Sequence, residues 1–141
     1  MKLEFDKCTV KASHKKFKVE ENKCSATIDN ESGVEIKKVK IDGCLITGHE
    51  ERCDWMFLHE EPEKHAHLIE LKGKKIDKAV SQLKSTLGKL SQDLEGYKKT
   101  CYAITTTYPK HGPSTLQRKK EFKEKTRALL EIKNIKFTIK V

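Results

Sequence analysis

The chain has 141 residues, which suits one domain with a real core. Thirty Lys and Arg against 21 Asp and Glu leave a net charge of +9, which favours a polyanionic partner such as nucleic acid. No apolar run approaches the roughly 20 residues of a membrane span, so an integral helical membrane protein is excluded.

The N-terminal 24 residues are basic, and only Phe17 and Val19 suggest a short strand. Asn30-Glu31-Ser32-Gly33 is a turn signal. From Val34 to Ile46 apolar residues alternate with a slip after Lys37-Lys38, which predicts a long strand with a bulge. Thr47 to Arg52 turns the chain, Cys53 to Leu58 forms the next strand, and His59 to Lys64 turns it again around Pro62. Residues 66–72 complete an antiparallel meander.

The period then changes. Ile76, Ala79, Val80, Leu83, Leu87, Leu90 and Leu94 recur at helical spacing, Asp77 lies in the first turn, and Gly96 supplies a stop. Cys101 to Tyr108 is β-rich and ends at Pro109. A second helix is expected from about Thr115 to Leu130, capped by Ser114 and basic on its outer face. Ile135 to Val141 alternates strictly and reads as a half-buried edge strand. The order is β-β-β-α-β-α-β, an α/β sheet with helices packed on it.

Acidic residues stand inside apolar strands at Asp54 and Glu70. A buried carboxylate is costly unless it is paired or holds a metal. A hairpin turn centred on Pro62 sets Asp54 opposite Glu70, and one centred on Gly48 sets Asp42 opposite Asp54. Glu70 and Lys72 share a face because the strand period is two. Asp42, Asp54, Glu70 and Lys72 are therefore expected on one patch, with Trp55, Phe57, Ile69 and Leu71 on the opposite, core-facing side.

Asp54 in one apolar strand, Glu70-x-Lys72 in the next, Gly73 directly after and an amphipathic helix beyond: over about residues 34–108 this pattern resembles the PD-(D/E)xK nuclease superfamily. The resemblance implies a restriction-endonuclease-like fold, a mixed sheet with a β-β-β-α-β core flanked by helices, in one nuclease-like domain over residues 1–141. It implies hydrolysis of DNA phosphodiesters with Mg²⁺ or Mn²⁺, held by Asp54, Glu70 and the backbone carbonyl of Leu71. Mg²⁺ takes hard oxygen ligands and activates water. Lys72 is then expected beside the attacking water, and Gln82, early on the following helix, to position metal or substrate. Asp42 is added here as an outer acid or further metal ligand. Members of the superfamily usually carry a helix before the first strand; residues 1–33 show none.

Backbone phosphates are expected to meet Lys74, Lys75, Lys110, Arg118, Lys119 and Lys120. His59, His65 and His67 crowd one polar turn and are read as exposed rather than ligating. The five cysteines form no CxxC pair, no signal-peptide core is visible, and free thiols in a reducing cytoplasm, mostly as small core residues, are the expectation. No Gly-rich phosphate loop is present. The size leaves little room for a second DNA-reading domain and favours structure recognition or a targeting partner protein; the resemblance implies a homodimer, as in small resolvases and nicking enzymes of the superfamily. The alternative to an enzyme is a catalytically inactive nuclease-like fold that binds nucleic acid or another protein.

Overall fold

Two periods, two and 3.6, build three layers. The computed structural model describes residues 5–48, 52–72, 76–106 and 113–141. A 3-10 turn (Phe5–Cys8) leads into β1 (Thr9–Ala12), β2 (Lys16–Glu21), β3 (Cys24–Asp29), β4 (Ile36–Lys40), β5 (Trp55–His59) and β6 (His65–Lys72). Then follow α1 (Ile76–Lys89), β7 (Lys98–Thr105), α2 (Pro113–Thr126), β8 (Leu129–Asn134) and β9 (Lys136–Lys140).

Six strands form one mixed sheet in the order β1-β4-β5-β6-β7-β8. β4, β5 and β6 are the expected antiparallel meander, and β6, β7 and β8 run parallel. Parallel neighbours require a crossover, and α1 and α2 supply the two. Both crossovers progress in one direction across the sheet, so right-handed connection puts both helices on one face.

The other face is covered by strands, not helices. β2, β3 and β9 form a second, three-stranded sheet. This corrects the expectation of helices flanking the sheet: the N-terminal hairpin and the last strand take the place of the missing helical layer. The central strands are thus buried on both faces. Met56, Leu58, Ala66, Leu68, Cys101 and Ala103 pack toward the helices with Leu83, Leu87 and Phe122. Phe57, Ile69, Leu71, Tyr102 and Ile104 pack toward the second sheet with Phe17, Val19, Ile28 and Ile139. Trp55 is only partly buried at the edge of this second core, with the Lys38 and Lys40 ammoniums over its ring.

Several boundaries differ from the sequence reading. The strand from Val34 stops at Lys40, because Gly43, at φ 79°, turns the chain into a short loop closed by an Asp42–Ile46 bridge. The second helix ends at Thr126 rather than Leu130. Arg127 takes φ 61° and donates its amide to the Lys123 carbonyl, so Leu129 begins β8, a strand that leucine spacing alone had assigned to the helix. Ile135, at φ 62°, then passes the chain from one sheet to the other: its amide bonds Thr105 of β7 and its carbonyl accepts from Ser25 of β3. Cys8 and Cys44 form a disulfide, which overturns the free-thiol reading for those two; Cys24, Cys53 and Cys101 are free and buried, as expected. Among the described residues no helix is long and apolar enough to cross a membrane.

Candidate functional site

β5 and β6 pair as the Pro62-centred turn requires, with Trp55 opposite Ile69 and His59 opposite His65. One step beyond the last ladder pair stand Asp54 and Glu70. Both are buried, at 7% and 2% exposure. At Asp54 the ladder gives way to side-chain bonding. Its amide donates to the Ile69 carbonyl at 3.1 Å, and its Oδ2 accepts from the Leu71 amide at 2.9 Å. Both acids lie within electrostatic reach of Cys53, whose thiol is pushed well up, first by burial and further by Glu70 and Asp54.

The β4–β5 register runs one residue away from the expected one. Lys40 pairs with Trp55, so Ile41 rather than Asp42 meets Asp54. The 42–46 loop displaces the centre of the turn from Gly48, which is why the arithmetic fails there. Asp42 nevertheless stays close. Its amide and that of Ile41 both donate to the Asp54 carbonyl, at 3.3 and 3.1 Å, a bulge that turns the Asp42 carboxylate to Arg52. Arg52 Nε donates to Asp42 Oδ1 at 2.9 Å and its guanidinium also reaches the Gly48 carbonyl at 2.6 Å. Asp42 is thus part of an ion pair at the rim of the site.

α1 is tied to the same corner. Gln82 Nε2 donates to the Arg52 carbonyl at 3.1 Å, and Gln82 Oε1 is buried with no donor among the described residues. Thr86 accepts from the Cys53 amide at 2.8 Å and donates to the Gln82 carbonyl at 2.9 Å. Gln82 is thereby held against the segment that leads into β5. Lys72 closes β6, paired with Thr105, at the strand position two beyond Glu70. Lys74, Lys75 and Lys110 lie outside the described residues.

Two contributors were not foreseen. Asn22 and Lys23 take φ 53° and 65°, the tight turn that joins β2 to β3, and the turn hangs over the end of β6. Asn22 Nδ2 donates to the Leu71 carbonyl at 2.7 Å, so the expected metal-binding carbonyl already has one partner. Glu21 faces Asp54. Burial raises the Asp54 carboxyl to about 7, the Leu71 amide opposes that, and the nearby Glu21 and Asp42 add to the rise. The sequence signal was present in Glu20-Glu21-Asn22-Lys23 after the alternating Phe17 and Val19, but nothing local says what such a turn will cover.

The basic face of α2 is partly spent within the protein. Arg118 pairs with Asp77 of α1, and Lys119 lies 3.6 Å from Glu131 of β8. Lys120, Lys123 and Lys125 are exposed.

The histidines are not on an exposed turn. His59 and His67 are 5% and 3% exposed and His65 is half-buried. They occupy the strand face that carries Phe57 and Ile69, under the second sheet. That alternation was readable, but the charged residues of the turn obscured it. Burial, the two neighbouring histidines and Lys98 hold His67 down at about 2. Burial, His59 and Lys98 hold His65 at about 4, and His59 is also lowered, mainly by burial.

No protein-family model, curated protein or solved structure matches this chain.

Proposed function

We propose that the protein is a metal-dependent phosphodiesterase of the PD-(D/E)xK type acting on DNA, with Asp54 and Glu70 at its centre. The observation that carries this reading is a pair of buried carboxylates at adjoining strand ends, with Asp54 raised to about 7 by burial first and then by Glu21 and Asp42. Such crowding destabilises the ionised site unless a cation offsets it. The oxygen-only donor set suits Mg²⁺ or Mn²⁺. Asp54 and Glu70 would hold the ion, with Glu21 as a further acid from the N-terminal hairpin. When bound, such an ion supplies an activated water and neutralises charge on the phosphoryl oxygens.

The chain's own residues do the remaining work. The Leu71 amide fixes the Asp54 carboxylate against β6. Gln82, anchored through the Arg52 carbonyl, keeps its buried Oε1 at the same corner, where it would accept from a donor brought to the site. Lys72 is proposed to orient the attacking water and to stabilise negative charge as it develops. The β-β-β-α-β order of β4, β5, β6, α1 and β7 supports a restriction-endonuclease-like core. The net charge of +9 and the exposed lysines of α2 support a nucleic-acid substrate. The Cys8–Cys44 disulfide favours an oxidising compartment over the expected cytoplasm.

A second reading has one observation in its favour. With Asn22 on the Leu71 carbonyl and Arg52 on Asp42, two of the expected ligands are already engaged, as in a nuclease-like fold that binds nucleic acid without cutting it. Duplex, single-stranded and branched DNA incubated with Mg²⁺ or Mn²⁺, then with chelator, separates the two. The enzyme predicts chelator-sensitive cleavage that falls by about 100-fold or more in Glu70→Gln and Lys72→Ala. Salt-sensitive binding with intact DNA would establish the second reading instead.

A further inference from the structure

At the opposite end of β5 from the acids, His59, His65 and His67 stand together. Five residues of extended strand separate His59 from Asp54, about 16 Å, so the two clusters share no side chain. We propose that these three histidines form a binding site for one divalent transition-metal ion of the Zn²⁺ class, with its remaining coordination position open to the cleft between the two sheets.

The geometry is specific. One ring nitrogen from each histidine lies within 4.8 Å of the others. His59 Nε2 and His67 Nε2 are 3.0 Å apart. Their outer nitrogens are each held. His59 Nδ1 lies 2.9 Å from the Glu61 carbonyl, which only accepts, so Nδ1 carries the proton and Nε2 presents a lone pair. His67 Nδ1 lies 3.0 Å from the Tyr102 hydroxyl, and His65 Nε2 lies 2.9 Å from Thr100 Oγ1, which leaves His65 Nδ1 inward. Outer partners of this kind, a carbonyl and two hydroxyls, are what orient imidazoles toward a metal. Without an ion, His67 Nε2–H donates to His59 Nε2 and Tyr102 donates to His67 Nδ1. With one, the His67 proton moves to Nδ1, both Nε2 lone pairs face the ion, and the Tyr102 hydroxyl accepts from His67.

The placement suits a cation of borderline softness better than Mg²⁺, since all three donors are imidazole. Imidazole ligates in its neutral form, and burial keeps these rings neutral at ordinary pH. A cleft of about 350 Å³ opens beside them, lined by Glu63, Tyr102, Phe137, Thr138 and Lys140. Three protein ligands with the fourth position facing such a space is the arrangement of zinc sites that hold water or a small ligand. Glu63, exposed and 4.0 Å from Lys98, is a carboxylate that lines the same cleft. All three ligands come from the β5–β6 hairpin, and β9 of the second sheet lines the cleft beside them.

The test uses the full chain, stripped with chelator and dialysed. Zn²⁺ titrated by calorimetry should bind once per chain and raise the melting temperature, and Co²⁺ should give the intense visible absorption of a four-coordinate site. His59→Gln and His67→Gln should each weaken Zn²⁺ by at least about 100-fold, the upper end for changes even in the outer partners. Because His67 is buried, His65→Asn, at the half-buried position, serves as the second variant, and each must retain the wild-type circular dichroism. Asp54→Asn should bind Zn²⁺ as wild type does, which separates this site from the acids. No Zn²⁺ heat and no Co²⁺ band, or binding undiminished in folded histidine variants, overturns the proposal.

Discussion

Asp54 Oδ2 accepts the Leu71 amide proton at 2.9 Å, so the carboxylate that ends one strand is bonded to the backbone of the strand that carries Glu70. This bond fixes the orientation of Asp54 in a site that is otherwise hostile to its charge.

The first prediction follows from that hostility. An ordinary aspartate ionises near 3.8, whereas Asp54 is raised to about 7. The folded chain keeps a proton that the unfolded chain has lost. The contribution of this group to stability is therefore present below its ordinary value and is lost as pH rises toward about 7. Taken as the difference from Asp54→Asn, which retains an oxygen for the Leu71 amide and carries the same histidine slopes, the unfolding free energy of the metal-free protein should fall between about pH 4 and about pH 7, by an amount on the order of a few kcal/mol. Parallel curves for the two proteins would remove the argument.

The histidines act with the opposite sign. His65 and His67 are depressed from 6.5 to about 4 and about 2. Their contribution is present above 6.5 and is lost as pH falls below it, at up to about 1.4 kcal/mol per pH unit for each ring. His67→Gln should show a shallower loss of stability on acidification than the wild type. The comparison is best made in an Asp54→Asn background, where the competing slope is absent. An unchanged acid slope would place His67 in contact with water in the folded protein.

The Cys8–Cys44 bond ties the 3-10 turn beside β1 to the loop between β4 and β5, across 36 residues of chain. Cys8→Ser should cost about 2–4 kcal/mol in urea unfolding, and reduction of the wild type should cost about as much. Alkylation of the unfolded, unreduced chain should label three cysteines, and prior reduction should raise the number to all five. Five labels without reduction would show that the bond does not form.

α2 is held by little apolar surface. Among its described side chains Phe122 is the one that is buried, against the core beneath α1. Phe122→Ala should cost about 3–5 kcal/mol. It should also speed hydrogen exchange in α2 more than in β5 and β6. Uniform acceleration would mean that α2 unfolds only with the whole domain.

The local periods of the chain were sufficient for the meander, for α1 and for the pairing of β5 with β6. Alternation and helical spacing depend on neighbours in sequence, and the tight turn at Pro62 leaves little freedom of register. The same reasoning missed by one residue between β4 and β5, where Gly43 inserts a loop. It missed β8, because Leu129, Leu130 and Ile132 satisfy a helix as well as a strand until Arg127 ends α2.

Only the tertiary structure decided what lies across from each face. The sequence by itself placed Asp54, Glu70 and Gln82 on elements that meet, and marked the basic character of α2. Docking of the second sheet brought Glu21 to Asp54 and Asn22 to the Leu71 carbonyl, enclosed the three histidines, and joined β9 to β3 from the far end of the chain. Periodicity reports that a face is covered; the covering partner is chosen by long-range packing, and that choice decides whether a histidine is a solvated side chain or a ligand.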